Sequence, residues 1–297
     1  MSRITGTSET QRFYNESGWR EEGGASVDHN LFGVTEDGPI RIELNNLHQG
    51  RIRAALTAAG LPLSLLECGC GGNPEKLLLD LCSKYTAVDF SDRGVQMARA
   101  AFSNVGIAHE FRTADICALP FDEATFDAVY CAHVIYHIEN PAGQDAAIAE
   151  LIRVVRPGGV VVLVAANPHP LAFPVRFLRR VLARTPIIGH ILNRLRKKPP
   201  LPYRPMPIGW IRRRLARCGT VNLVGLGIPS TNFYRNVTEF RGIGKALWNG
   251  VRWLDIHYPE RSAWCGNYVM FSLVKAQPEG HVSAKGKGVV AAAASAK

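Results

Sequence analysis

Three acidic side chains and three histidines stand where they could do chemistry: Glu67, Asp89 and Asp115, then His133, His137 and His169. Glu67 opens the run Glu67-Cys68-Gly69-Cys70-Gly71, in which two glycines lacking Cβ atoms let backbone approach a ligand closely. Asp89 follows about twenty residues after the first glycine, the spacing at which a carboxylate can accept hydrogen bonds from both hydroxyls of a ribose. Histidine titrates near neutrality and is the usual tool for removing a proton from a hydroxyl acceptor. His133 and His137 are four apart, so on a helix they would share a face. The pair Cys68 and Cys70 has no second Cys or His pair at ligand spacing nearby, so no metal site is expected.

The elements that must position these groups alternate regularly from about residue 51 to 166. Helix-like RIRAALTAAG precedes the strand LSLLEC, helix PEKLLLDLCSK precedes YTAVDF, and helix DRGVQMARAAF precedes AHEFRTAD. The strand FDAVYCA, the helix PAGQDAAIAELIRVV and the strand VVVLVAA complete the series. Short apolar runs between amphipathic stretches predict βαβ units and a parallel sheet covered on both faces. After the glycine turn, Asn73 suits a helix N-cap and Pro74 the first helical position. PIGWIRRRLARCG predicts another helix, and VNLVGLG and NYVMFSLVKA predict two final strands joined by an aromatic-rich linker over 229–266.

Around this body, residues 1–50 read as an N-terminal cap segment and 51–277 as the domain proper. Within it, 168–206 forms a basic helical insertion, and 278–297 has the low-complexity composition of a disordered tail. The net charge of +10 hides an asymmetry. Residues 1–150 carry 11 Lys/Arg against 21 Asp/Glu, whereas 151–238 carry 16 basic residues and no acidic one. Apolar residues are 46% and charged residues 20%, ordinary for a globular chain. The seven cysteines are an odd number scattered through apolar segments, which suits free thiols rather than a disulfide framework. With no secretory h-region and no run of 18 apolar residues, a cytoplasmic location is expected, with contact to the inner face of a membrane as an addition.

A glycine turn followed by an acid also describes dinucleotide-binding domains. That pattern places a third glycine three positions after the second, where Pro74 stands here. The motif E-x-G-x-G suits a cofactor with ribose and adenine but no pyrophosphate. Taken with LLECGCGGN, AVDFS, TADICALPFDE, FDAVYCAHVIYHIENP and LIRVVRPGGVVVLVAANP, the chain resembles class I S-adenosylmethionine (SAM)-dependent methyltransferases. The wording is most similar to the ubiquinone/menaquinone-biosynthesis branch, which includes sugar and natural-product methyltransferases. Asn73 departs from that family by standing where a third glycine is usual.

The resemblance implies a Rossmann-like α/β fold: a seven-stranded, mostly parallel sheet with an antiparallel last strand and a helical insertion after strand five. It implies Glu67, Gly69, Cys70 and Gly71 as cofactor-binding residues, with the glycine turn beside the methionine part of SAM. Asp89 would hold the ribose, Phe90 would lie against the adenine, and Asp115 with Ile116 would read the adenine edge. His133 would lie near the methionine end, and Tyr14 would close over the cofactor from the cap. His137, His133 and His169 are the candidate bases. The implied activity is methyl transfer from SAM, leaving S-adenosylhomocysteine (SAH), to an oxygen or nitrogen of a small polar acceptor. The preferred acceptor class is a sugar-bearing natural product, glycan or glycolipid intermediate. A membrane-associated enzyme acting on a lipid or quinone-like acceptor, touching anionic lipid through 168–198, is the alternative. A non-catalytic SAM-binding or RNA-binding protein is the other class, with nucleic acid ranked last because no RNA-binding module accompanies the basic run.

Overall fold

A computed structural model describes residues 9–22, 25–28, 39–170, 201–226 and 243–277. Helix α1 (Glu9–Glu16) leads into a hairpin of β1 (Trp19–Glu22) and β2 (Ala25–Asp28), and α2 (Pro39–Thr57) enters the body of the fold. Then come β3 (Leu63–Cys68), β4 (Cys82–Asp89), α3 (Asp92–Ala101), β5 (Ala108–Thr113), β6 (Phe126–Ala132), α4 (Pro141–Val154) and β7 (Val155–Ala166). The described remainder is α5 (Ile208–Ala216), β8 (Gly219–Leu226), α6 (Ile243–His257), α7 (Pro259–Cys265) and β9 (Tyr268–Lys275).

Strands β3 to β9 form a seven-stranded sheet in the order β5-β4-β3-β6-β7-β9-β8. Strand β9 runs antiparallel to both neighbours, and the pairs from β5 to β7 are parallel. Because side chains alternate across a strand, the sheet feeds two cores. Leu66, Cys68, Val129, Cys131, Val161 and Leu163 pack with α4 and α5 on one face. Leu63, Leu65, Tyr85, Ala87, Ala128 and Val162 pack with α2 and α3 on the other. This double burial is why β3 and β7 read as near-continuous apolar runs.

The chain builds outward from β3 to β5, then returns to the other side of β3 with β6 and continues to β7. The direction of winding therefore reverses between β3 and β6, which pair in register from Leu65↔Ala128 to Cys68↔Cys131. Loops leaving the carboxyl ends of these two strands must diverge, and that divergence opens the crevice in which ligands bind in such sheets.

Three sequence expectations need correction. The helix expected over 74–84 is a 3-10 helix, Lys76–Leu81, capped by Glu75 rather than Asn73. Strand β4 begins at once at Cys82, leaving too little chain for an α-helix, and the buried Leu78 and Leu81 stand three apart, the repeat of a 3-10 turn. The linker over 229–266 contains two helices, α6 and α7. Helix α2 spans residue 50, so the cap segment and the domain share one element. The last strand is antiparallel as expected, with β9 inserted between β7 and β8. Most of the basic insertion, 171–200, and the tail 278–297 lie outside the described residues. Among the described residues no helix is long and apolar enough to cross a membrane.

Helix α2 is fastened by a buried ion pair. Arg51 meets Asp255 Oδ2 at 2.8 Å and donates to the carbonyls of Gly225 (2.7 Å) and Asp255 (2.9 Å). Its neighbour one turn earlier, His48, is thereby held over the crevice edge near His133, whose charge it feels.

Candidate active site

The crevice is built first by the turn after β3. Gly69 and Gly71 have φ of 78° and 51°, a region that side chains with a Cβ enter at a cost of about 1–2 kcal/mol. Space is lacking as well. A Cβ on Gly69 would lie 2.0 Å from Val134 Cγ2, and one on Gly71 2.0 Å from Trp19 Cη2. The amides of Gly69 and Cys70 both donate to the Val88 carbonyl, at 2.7 and 3.2 Å. That of Gly71 donates to Asp89 Oδ2 at 2.9 Å.

Asp89, 7% exposed at the end of β4, ties two loops together, because its Oδ1 accepts the Ser91 amide at 2.8 Å. Ser91 in turn caps α3 through the Gly94 amide. Each carboxylate oxygen has more than one acceptor direction, so both amide bonds are compatible with further donors such as ribose hydroxyls. A second feature fits a ligand here. The Trp19 indole lies against Gly71 and Gly94, and its buried Nε1 has no hydrogen-bond partner.

Around Asp89 the other cofactor candidates converge. Phe90 is half-buried, its carbonyl accepts from Gln11 Nε2 at 2.8 Å, and its ring centroid is 6.2 Å from that of Tyr14. Tyr14 also packs on Trp19 at 5.3 Å. The Ala114 amide donates to the Asp89 carbonyl at 2.9 Å, which brings the exit of β5 alongside. There Asp115 is exposed, with Oδ1 accepting the Cys117 amide at 2.8 Å, and Ile116 is buried. Cys70 turns inward as a packing thiol, its ionisation pushed up by burial.

Glu67 does its work within the protein. Its Oε2 accepts the Tyr85 hydroxyl and, at 3.0 Å, the Glu75 amide. Burial pushes its carboxyl from 4.5 up to about 7, against the opposing pull of those two hydrogen bonds. It braces the far end of the glycine loop.

The histidines separate into distinct roles. His133 has a left-handed backbone, φ 64°, fixed by its amide donating to the Val164 carbonyl at 3.1 Å. Its Nδ1 is 3.1 Å from the Tyr136 hydroxyl, and its ring centroid is 4.6 Å from that of Tyr268. The ring is open to the crevice, yet the surrounding protein lowers its pKa from 6.5 to about 4, with nearby His137 as the second cause. His137 sits in the 3-10 turn Ile135–His137, with Nδ1 2.9 Å from the Pro202 carbonyl, where it fastens the returning chain. The expected shared helix face of His133 and His137 does not form, because the left-handed residue and the tight turn place the two rings differently. His169 stands exposed beyond β7, its amide donating to Asn167 Oδ1 at 2.9 Å.

Four residues missed by the sequence reading complete the crevice. Tyr136, Tyr203 and Tyr268 cluster, with Tyr136 centroids 5.2 Å from Tyr203 and 6.4 Å from Tyr268. His48 approaches from α2, its pKa lowered to about 4 by burial first, then by Arg51 and His133. Only Tyr136, inside HVIYH, lay beside a residue already singled out.

One consequence is direct. Gly71→Ala should lower the melting temperature by several degrees, since left-handed strain of about 1–2 kcal/mol adds to displacement of the indole. Trp19→Ala in the same chain should restore part of the loss in thermal unfolding. An unchanged melting temperature in the single variant would contradict the close approach.

Residues 66–163 match the methyltransferase domain family. The ubiquinone biosynthesis O-methyltransferase of Xanthomonas axonopodis pv. citri (strain 306) is 30% identical over 137 residues, covering 46% of this chain and 52% of that protein. Its counterpart in Methylocella silvestris is 30% identical over 165 residues, covering 51% and 59%. The chain thus spans little more than half the length of the curated relatives it matches. The N-methyltransferase NodS from Bradyrhizobium japonicum WM9, solved in complex with SAH, shares the fold. The TM-score is 0.51 at 15% identity, over 84% of this chain and 92% of that one. Residues 66–163 thus match the methyltransferase domain family, and the seven-stranded sheet that carries them has the fold of the SAH-bound methyltransferase NodS.

Proposed function

We propose that the protein transfers the methyl group of SAM to a hydroxyl oxygen of a small polar acceptor bearing a hydroxylated ring. The observation that carries this reading is the adjacency of two half-sites. Val134 covers Gly69 of the glycine loop, and its chain neighbour His133 belongs to the cluster with Tyr136 and Tyr268. A cofactor held by Asp89 and the glycine loop would therefore end beside a histidine and three tyrosines.

The residues act by placement. Asp89 accepts the ribose hydroxyls, the backbone of the tight turn at Gly69 and Gly71 lies beside the methionine part, and Phe90 and Tyr14 supply apolar contact for the adenine. SAM, when bound, supplies a sulfonium-activated methyl that leaves readily. What the protein adds is in-line positioning and exclusion of water. The half-exposed Tyr203 suits a flat or ring-shaped acceptor, its ring stacking on the face while its hydroxyl bonds the rim. Oxygen as the receiving atom is supported by the named chemistry of the O-methyltransferase relatives. A sugar-bearing acceptor is supported by the motif wording, and a phenolic one by those same relatives.

Incubation with methyl-tritiated SAM and two acceptor panels, catechols and sugar glycosides, tests the reading. Label should appear in an O-methyl product of one panel together with SAH. Tight SAH binding with no label leaving SAM in either panel would overturn methyl transfer to a hydroxylated ring.

A further inference from the structure

We infer that His133 takes the proton of the acceptor hydroxyl on its Nε2, and that Tyr136 is the positioning residue that leaves this nitrogen unprotonated. The inference rests on the methyl-transfer reading and adds the base to it. The first observation is backbone strain. A residue with a Cβ held at φ 64° costs about 1–2 kcal/mol, and such strain survives only where surrounding bonds over-determine it. They do so here. The His133 amide is bonded to Val164, and the buried Gln144 side chain donates to the Ile135 carbonyl at 3.1 Å and the Arg204 carbonyl at 2.8 Å. The Arg204 amide donates to the Tyr136 carbonyl at 2.7 Å. The left-handed kink leaves this imidazole exposed at the carboxyl end of β6, beside β7.

The second observation is a hydrogen-bonded chain. His133 Nδ1 lies 3.1 Å from Tyr136 Oη, and the Tyr136 hydroxyl also bonds that of Tyr268. Burial, followed by repulsion from Tyr268, Tyr203 and Tyr14, keeps the Tyr136 phenol protonated far above its ordinary value. A protonated Tyr136 that donates to Tyr268 accepts at its oxygen from His133 Nδ1–H. The tautomer left has its lone pair on Nε2, the state a general base requires. The groups facing His133 are His48 from α2, His137 and Tyr136 from the turn, and Tyr268 from β9. Desolvation by the surrounding protein first, then the neighbouring His137, opposes its protonation, so it rests neutral.

A weakly basic imidazole is sufficient for this step. As the C–O bond forms and the S–CH3 bond breaks, the acceptor O–H bond breaks in the same step, its proton passing to Nε2 and later to water. An oxygen receiving a methyl group becomes far more acidic than any imidazolium, so proton transfer is downhill even to a base of low pKa.

Nitrogen-15 NMR of histidine-labelled protein with SAH provides the test, with His133→Asn identifying the resonance. His133 should show an unprotonated Nε2 and titrate below about pH 5. Tyr136→Phe should mix the two tautomers while SAH affinity stays within threefold. An Nε2–H tautomer in the native chain, or no change in Tyr136→Phe, overturns the positioning role. With the accepted ring acceptor, His133→Asn should lower kcat by about 10²-fold or more, the usual contribution of a general base, with KM for SAM unchanged. Native kcat in His133→Asn sinks the base alone. Failure of the native chain to bind SAH or transfer methyl sinks the underlying reading instead.

Discussion

Replacing Asp89 with alanine should weaken SAH binding by about 100-fold or more in isothermal titration and lower the melting temperature as well. Hydrogen bonds to a charged group contribute about 1.5–3 kcal/mol each, and the proposed ribose contact uses two. The same substitution orphans the Gly71 and Ser91 amides, which now donate to Oδ2 and Oδ1 at 2.9 and 2.8 Å. Each amide left buried and unpaired costs about 1–3 kcal/mol. Affinity and stability should therefore fall together. Asp89→Asn should be intermediate, because its oxygen still satisfies one amide while its NH2 opposes the other. Binding by the alanine variant within threefold of native would show that ribose is not held here.

The second large effect concerns pH. Glu67 is 6% exposed and its carboxyl is raised from 4.5 to about 7, chiefly by burial. A group with a raised folded pKa contributes stability that is fully present below its unfolded value and is lost as pH rises through the folded one. Native stability should thus fall between about pH 4.5 and 7, by up to about 3 kcal/mol from this group. Glu67→Gln keeps an oxygen for the Tyr85 hydroxyl and the Glu75 amide but cannot ionise. Denaturant unfolding of the variant should give a flatter profile over that window and a gain above pH 7. Parallel profiles for the two chains would show that Glu67 ionises in the folded state without penalty.

Much of this site was legible in the sequence where its cause is local. Gly69 and Gly71 announce positive φ, and their structure needs it at 78° and 51°. LSLLEC and FDAVYCA announce buried parallel strands, and they became β3 and β6 on either side of the crevice. Asp89 was legible because its distance from the turn equals one helix-and-strand crossover. Asn73 misled because capping propensity is a weak preference. The early start of β4 overrode it, and Glu75 became the cap.

What the sequence by itself determined was therefore the sheet, the glycine turn after β3 and the place of Asp89 at the end of β4. Those depend on contacts within a few residues and on the alternation of apolar side chains. Only the tertiary structure decided the rest of the site. Tyr268 meets His133 because β9 inserts beside β7, pairing Tyr268 with Ala166, more than 100 residues away in the chain. His48 reaches the same crevice because Arg51 and Asp255 join α2 to α6. Trp19 fills the notch of Gly71 and Gly94 because the cap folds back over the sheet. Such meetings follow from strand order and helix docking, which no local periodicity encodes.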